Sequence, residues 1–171
     1  MENVIQKYSI NQIYCLSALL SATGEVNPLK TEEINMKTLY NCLEASRKFK
    51  VDRLFWPSSI AAFGPDTPKD TPQETVMNPT TVYGITKKAG ELWCAYYYKR
   101  YGVDVRSVRY PGLIGYRSLP GGGTTDYAVD IFHKALKGQT FKCYLKLDAY
   151  LPMIYTDDAI DGTIQLMEAP R

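Results

Sequence analysis

The sequence alternates short apolar runs with longer segments of helical periodicity, and this alternation most constrains the fold. The apolar runs at 12–18, 53–59 and 103–110 predict strands, and the segments 28–50 and 80–101 that separate them predict helices. Strand–helix–strand order is typical of parallel βαβ units, whose helices cover the faces of a parallel sheet. We therefore expect an α/β fold with a doubly wound, mainly parallel sheet of Rossmann type.

The C-terminal third continues with shorter elements. The segments 126–138 and 157–169 predict helices, and Thr156 stands at the expected N-cap of the second. Between them, 140–146 and 150–156 predict two further strands. One face of the long helix at 28–50 is expected to be buried, and its members are Leu39, Cys42, Leu43 and Ser46.

Length, charge and cysteine content exclude several classes of protein. The 171 residues, 45% of them apolar, suffice for one domain, and a net charge of +2 gives no electrostatic reason to expect a nucleic-acid partner. No apolar stretch approaches the roughly 20 residues of a membrane span. The chain has one histidine, His133, and no C-x-x-C motif, so we expect no metal site. We expect four buried, reduced thiols: Cys15, Cys42, Cys94 and Cys143.

The motif "TVYGITKKAG" places a tyrosine and a lysine four positions apart, near the start of the second long helix. Positions i and i+4 share a helix face, so Tyr83 and Lys87 can point into the same cleft. A tyrosine has a pKa of about 10, and a nearby cation lowers that pKa by favouring the phenolate. The phenolate would accept the proton of a substrate alcohol. Ser59, at a predicted strand end, is placed to hydrogen-bond the oxygen of that alcohol. The alternative is a chance spacing on a helix rich in tyrosine and lysine.

Three segments in this order, "PSSIAAFG", "PTTVYGITKKAGE" and "VRSVRYPGLIG", resemble the extended short-chain dehydrogenase/reductase superfamily. The segments "LLSATGE" and "GGGTTDYAVD" narrow the resemblance to the NAD-dependent L-threonine 3-dehydrogenases of that superfamily. The likeness extends through nearly the whole chain. It implies a nicotinamide cofactor, NAD, and a catalytic group of serine, tyrosine and lysine.

The resemblance also implies a reaction, the oxidation of the L-threonine side-chain alcohol to 2-amino-3-ketobutyrate with reduction of NAD to NADH. Tyr83 would take the hydroxyl proton, Lys87 would lower the pKa of Tyr83 and bind the nicotinamide ribose, and Ser59 would hold the substrate hydroxyl. The positions that hold the amino acid in the family are occupied by Ser21, Ser59, Thr124 and Asp126. The wall beside the nicotinamide corresponds to Tyr110, Pro111 and Leu113.

The residues assigned to the amino acid have a structural alternative, because Ser21, Thr124 and Asp126 also suit ordinary turn and N-cap positions. Aspartate at a helix start stabilises the helix without any ligand. The glycines at 121–123 fit either a flexible loop or a mobile substrate flap.

A dinucleotide-binding domain of this type needs a glycine-rich turn after its first strand, and no G-x-G-x-x-G pattern lies near the start of this chain. By resemblance, the chain begins inside the third helical crossover and stops within the smaller lobe. We therefore expect a single partial domain over 1–171, truncated at both ends, that lacks the N-terminal βαβ fingerprint unit. Part of the substrate-side lobe would lie at about 115–155.

The resemblance implies a homodimer through the helices at 28–50 and 80–101. Members of the family would be cytoplasmic in bacteria and mitochondrial in animals. Two other functions stay open at this point. One is a nucleotide-sugar epimerase or dehydratase of the same superfamily, and the other is a non-catalytic remnant without the phosphate loop.

Overall fold

The computed structural model describes residues 1–117, 119–121 and 123–171. Its α-helices are α1 Glu2–Tyr8, α2 Ser21–Gly24, α3 Pro28–Phe49, α4 Val82–Tyr101, α5 Tyr127–Leu136 and α6 Thr156–Glu168. Its strands are β1 Gln12–Tyr14, β2 Arg53–Phe55, β3 Ser58–Ser59, β4 Val105–Arg106, β5 Arg109–Tyr110, β6 Gly112–Ile114 and β7 Met153–Tyr155. A short 3₁₀ turn at Ile60–Ala62 follows β3 directly.

The strands pair in parallel throughout the described part of the chain. One sheet has the order β1-β2-β4, and two strand pairs, β3-β5 and β6-β7, continue the arrangement. Helices lie between successive parallel strands, as βαβ connections require. The predicted α/β class with a parallel sheet is therefore confirmed.

The predicted strands at 53–59 and 103–110 are each divided in two, which corrects the sequence interpretation. β2 and β3 are separated by Trp56 and Pro57, and proline has no N–H to donate to a ladder. β4 and β5 are separated at the matching place because they are the partners of β2 and β3.

Three other expectations are wrong in detail. The run 140–146 forms no strand, and its neighbourhood exposes apolar side chains, including Tyr144 and Leu147, that a strand would have to bury. The strands expected at 12–18 and 150–156 shrink to the three residues each of β1 and β7. Thr156 is the first residue of α6 rather than its N-cap, and its hydroxyl donates to the carbonyl of Ile114 at 2.9 Å.

The main core lies between α3, α4 and the β1-β2-β4 sheet. Leu39, Leu43 and Leu54 have no exposed surface, and Cys42 and Ser46 are buried beside them. Full burial of a leucine stabilises the fold by roughly 1.5–3 kcal/mol. The buried face predicted for α3 is therefore confirmed.

The expectation of four buried thiols is correct for Cys15, Cys42 and Cys94, but Cys143 is exposed. Cys143 differs because it lies in the irregular segment before β7, where no strand or helix covers it. In the described residues no three His, Cys, Asp or Glu side chains are grouped so as to hold a metal ion. None of the described helices combines the length and the apolar character needed to cross a membrane.

Candidate active site

Helix α4 carries the tyrosine–lysine pair, and its start is fixed by two side chains. The Thr81 hydroxyl is the N-cap and accepts from the backbone N–H of Gly84 at 3.1 Å. The carboxylate of Glu25 accepts from the N–H of Val82 at 2.8 Å, which places an anion at the positive end of the helix dipole. The backbone donors on either side of Tyr83, those of Val82 and Gly84, are therefore satisfied.

The same turn packs tightly on the residues after β3. A Cβ added at Gly84 would lie 2.2 Å from the carbonyl oxygen of Ala61, so only glycine permits this approach. The Ser59 hydroxyl accepts from the N–H of Ala61 at 3.1 Å. The same hydroxyl also acts on Tyr83, where it favours the phenolate and lowers the pKa of the phenol. Ser59 and Tyr83 therefore lie close together where β3 meets α4, and their catalytic roles stay a prediction.

The electrostatics of Tyr83 differ from the sequence expectation. Burial raises the pKa of Tyr83, and the hydrogen bond from Ser59 opposes that effect. Such a bond favours the phenolate, as a donor to the charged form does. The Lys87 ammonium lies 5.3 Å from the centroid of the Tyr83 ring, and its expected effect on the pKa of Tyr83 stays a prediction.

Lys87 is buried, with 4% of its surface exposed. Its ammonium donates to the carbonyl oxygen of Pro57 and lies 4.6 Å from the centroid of the Trp56 ring. Burial lowers the pKa of Lys87 to about 8. The partial negative charge of the carbonyl and the ring face favours the ammonium form, so this lysine is balanced between charged and neutral states near physiological pH.

Sequence reasoning missed Trp56 and Pro57 as partners of Lys87. The available signal was the run "FWPSS" at 55–59, in which a large aromatic residue and a proline immediately precede the serine pair. The proline that interrupts the strand ladder also presents its carbonyl to the lysine.

Strand β5 brings the expected cofactor-side residues to the same edge. Ser59 is paired with Tyr110 in the parallel β3–β5 register. The Tyr110 hydroxyl is hydrogen-bonded to Thr163 of α6, so the ring rather than the hydroxyl is available to a ligand. Pro111 follows directly, and Leu113 on β6 leaves 45% of its surface exposed. The exposed side chain of Leu113 is available to an apolar ligand surface, and its role at a nicotinamide stays a prediction.

Ser21 begins the short helix α2, which contacts α4. The segment before it is held by Asn35, whose amide accepts from the N–H of Leu19 at 2.8 Å and donates to its carbonyl at 3.1 Å. Glu25, which follows α2, accepts from the N–H of Val82 at the start of α4. Ser21 and Tyr83 therefore lie on helices that contact each other.

Thr124 and Asp126 lie in a turn before α5. The Asp126 carboxylate accepts from the N–H of Gly123 at 2.8 Å, and Asp126 occupies the N-cap position. The Thr124 carbonyl accepts from the Tyr144 hydroxyl at 3.0 Å. This turn contacts the start of β6, since a Cβ at Gly112 would meet the side chain of Thr125 at 2.8 Å. Of the expected glycine flap, residue 122 lies outside the described residues.

Comparison with known proteins places this geometry in a family. The model of the "NAD dependent epimerase/dehydratase family" matches residues 1–171. A curated relative, an uncharacterized epimerase/dehydratase of Staphylococcus haemolyticus, is 50% identical over 99% of this chain and 53% of its own length. A similar relative from Staphylococcus saprophyticus is 49% identical over the same shares. The chain thus spans about half the length of the curated relatives it matches.

Solved structures give the same result. A partial consensus L-threonine 3-dehydrogenase is 58% identical with a TM-score of 0.96 over 99% of this chain and 55% of its own. The holo form of the L-threonine dehydrogenase from Cupriavidus necator is 60% identical with a TM-score of 0.95, over 98% and 55%. UDP-glucose 4-epimerase of Thermus thermophilus in complex with NAD, 21% identical with a TM-score of 0.87 over 99% and 57%, shares the fold. The chain therefore belongs to the NAD-dependent epimerase/dehydratase family.

Proposed function

We propose that the protein is an L-threonine 3-dehydrogenase, which oxidises the side-chain alcohol of L-threonine to 2-amino-3-ketobutyrate and reduces NAD. The observation that carries this proposal is the grouping of Ser59, Tyr83 and Lys87, in which the buried Lys87 ammonium lies 5.3 Å from the centroid of the Tyr83 ring and Ser59 acts on the pKa of Tyr83. Its support beyond the family comes from the similarity of this chain to structures of L-threonine dehydrogenases.

The proposed chemistry begins at Tyr83. Ser59 donates to the phenol oxygen and stabilises the phenolate, which then accepts the proton of the substrate hydroxyl. The hydride would leave the carbon that bears this hydroxyl, and bound NAD would supply its acceptor, so the alcohol becomes a ketone. Because Lys87 has a pKa of about 8, it can supply a cation next to Tyr83 and a donor to a ribose hydroxyl.

The residues fit the nicotinamide half of the cofactor. Lys87 offers a buried amine that donates to the carbonyl of Pro57, Tyr110 offers an aromatic ring on β5, and Leu113 offers an exposed apolar side chain on β6. The quoted sequence contains no G-x-G-x-x-G phosphate loop. We assign Lys87, Tyr83, Tyr110, Pro111 and Leu113 to that half and no residue to the pyrophosphate.

Substrate recognition is assigned to the residues around this edge. The carboxylate of Asp126 suits the ammonium group of an amino acid, and the hydroxyls of Ser21 and Thr124 suit its carboxylate. Ser59 would hold the reacting hydroxyl as well as Tyr83.

We further propose a homodimer through α3 and α4, with cytoplasmic localisation for a bacterial member. The support is an apolar surface on α4, where the side chains of Ile85, Leu92, Trp93 and Tyr96 are exposed. Sedimentation velocity tests it. A dimer is expected, and a monomer after Leu92→Glu would assign the surface to the interface, whereas a monomeric wild type would contradict it.

The test of the reaction is a comparison of substrates. The purified protein is incubated with NAD and either L-threonine or UDP-glucose, and the products are separated by chromatography and identified by mass spectrometry. We expect threonine to lose the mass of two hydrogens, one as a proton and one as the hydride that forms NADH. Formation of an epimerised sugar with no threonine oxidation would overturn the proposal. A folded protein that neither binds NAD nor acts on either compound would favour a non-catalytic remnant.

A further inference from the structure

Glu91 extends the line of Tyr83 and Lys87 on α4, since the three residues follow at intervals of four. Its carboxylate accepts from the Ser58 hydroxyl at 2.5 Å, which joins α4 to β3. Burial raises the pKa of Glu91, but hydrogen bonds from Arg109 and Ser58 outweigh it and hold that pKa below its usual value. Glu91 is therefore an anion at physiological pH.

Arg109 completes the connection from the other side. Its Nε and Nη2 atoms donate to the two carboxylate oxygens of Glu91 at 2.8 Å each, a bidentate contact that fixes both planes. The remaining Nη1 donates to the carbonyl of Gln73 at 2.9 Å, and the guanidinium lies 5.4 Å from the Phe63 ring centroid. Arg109 thereby also holds the proline-rich loop between the 3₁₀ turn and α4.

We propose that Glu91 and Arg109 act as a positioning pair for the active site, which locks the helix carrying Tyr83 and Lys87 to the two strands carrying Ser59 and Tyr110. Ser58 and Arg109 face each other in the β3–β5 register, one position before Ser59 and Tyr110. A single carboxylate thus sets the distance between the elements that supply the reacting groups. The inference rests on the proposed function, because the pair positions those catalytic groups.

The Glu91–Arg109 pair is expected to act by fixing the geometry of the site rather than by adding overall stability. The pair is only 18% and 19% exposed, so solvent screens it little and its two parallel hydrogen bonds resist shear. A misplacement of about 1 Å at a reacting group can reduce a rate about 100-fold. Replacing arginine with lysine keeps the charge but removes the fork, so the carboxylate would lose its fixed orientation.

The chain contains a matched control in a second buried ion pair. Arg106 and Asp104 are 8% and 12% exposed and also form a bidentate contact. Arg106 additionally donates to the carbonyls of Leu166 and Ala169, so this pair joins β4 to α6 instead. Arg106→Lys therefore removes a comparable interaction away from the proposed reacting groups.

The kinetic test compares Arg109→Lys, Ser58→Ala and Arg106→Lys. We expect Arg109→Lys to lower kcat for threonine oxidation about tenfold or more and to change KM less, because proton transfer is misaligned while Ser21, Thr124 and Asp126 lie on other elements. Ser58→Ala, a milder change that keeps the ion pair, should lower kcat by a smaller factor. Arg106→Lys should lower Tm without lowering kcat. An equal loss of kcat in Arg106→Lys and Arg109→Lys would overturn the proposal.

Hydrogen exchange gives a readout that needs no substrate. The reporter is the N–H of Ala61, which is bonded to the Ser59 hydroxyl. Arg109→Lys should speed exchange in 58–63, and Arg106→Lys should speed it near 166–171 instead. Unchanged exchange in 58–63 in Arg109→Lys would overturn the positioning role. If the wild type does not oxidise threonine, the proposed function fails, and this measurement still decides the role of the pair.

Discussion

The region from α3 to β6 and the segment at 115–155 are built in different ways. The first has a core of fully buried leucines under α3 and α4, and Ser59, Tyr83 and Lys87 are attached directly to it. Among the described residues of 115–155 none is buried, and only α5 and β7 are regular there. The proposed proton-transfer groups thus rest on the packed part of the fold, and two of the proposed substrate residues rest on the exposed part.

The difference indicates that the two regions have separate roles. Proton transfer depends on distances held within a fraction of an ångström, which rigid elements supply. A segment that closes over a substrate must open again, so it is drawn from the less stable part of a structure. Substitutions in the packed region should therefore have large effects on rate or stability, and those in the exposed segment small ones.

The largest effect is expected for Tyr83→Phe, which removes the phenol oxygen and leaves the ring. Loss of the general base should lower kcat for threonine oxidation about 10²–10⁴-fold, measured by NADH absorbance. Tyr96→Phe, on the exposed surface of the same helix, is the control and should retain activity. Comparable losses in both variants would contradict the assignment of Tyr83.

Lys87→Met should reveal the charge buried in the packed region. The folded-state pKa is about 8 against an ordinary 10.5, so between these values the unfolded chain binds a proton that the folded chain has released. Wild-type stability therefore gains from rising pH in this window, relative to the variant. The free energy of unfolding of the variant minus that of the wild type should fall by up to about 3 kcal/mol from pH 8 to pH 10.5.

Urea unfolding at several pH values measures this difference. Below pH 8 both states hold the proton, so the difference should be constant there. A difference that stays flat from pH 8 to pH 10.5 would mean that Lys87 is not desolvated in the folded protein.

Gly90→Ala tests the packing beneath that lysine. A Cβ at Gly90 would lie 2.4 Å from the Trp56 ring, so the indole must move, at a cost of about 1–3 kcal/mol. Gly162→Ala in α6 is the matched control, because no atom lies within 4 Å of its added Cβ. The control should gain up to about 1 kcal/mol from helix propensity. A Tm above that of the wild type for both variants would contradict the close packing of Gly90 on Trp56.

The smallest effect is expected for Tyr144→Phe in the exposed segment. It removes one hydrogen bond to the Thr124 carbonyl, and the free energy of unfolding should change by about 0.5 kcal/mol or less. If the segment binds substrate, KM for threonine should rise while kcat stays near the wild-type value. A loss of stability similar to that of Gly90→Ala would remove the contrast between the two regions.

The same contrast explains which features could be predicted from the sequence. Helical periodicity predicted the buried face of α3. The i, i+4 spacing predicted that Tyr83 and Lys87 share one face of α4, and both predictions depend only on local properties of the chain. The expected strand at 140–146 failed because strand formation needs a partner that the local sequence does not reveal.

The electrostatic details were also beyond the sequence. Burial raises the pKa of Tyr83 and Ser59 opposes that effect, and burial against Trp56 and Pro57 accompanies the lowered pKa of Lys87. The pairing of Glu91 with Arg109 depends on the β3–β5 register, which brings together residues 18 positions apart. Charged residues inside apolar runs were the only local sign of it.

The most direct test of the central claim follows the hydrogen on the reacting carbon. The protein is incubated with NAD and L-threonine deuterated at C3, and the mass of the reduced cofactor is measured. If Tyr83 takes the hydroxyl proton while the C3 hydrogen leaves as hydride, the NADH formed must carry one deuterium, and Tyr83→Phe should form it far more slowly. Unlabelled NADH, or no reduction by a folded protein that binds NAD, would contradict the proposed threonine oxidation.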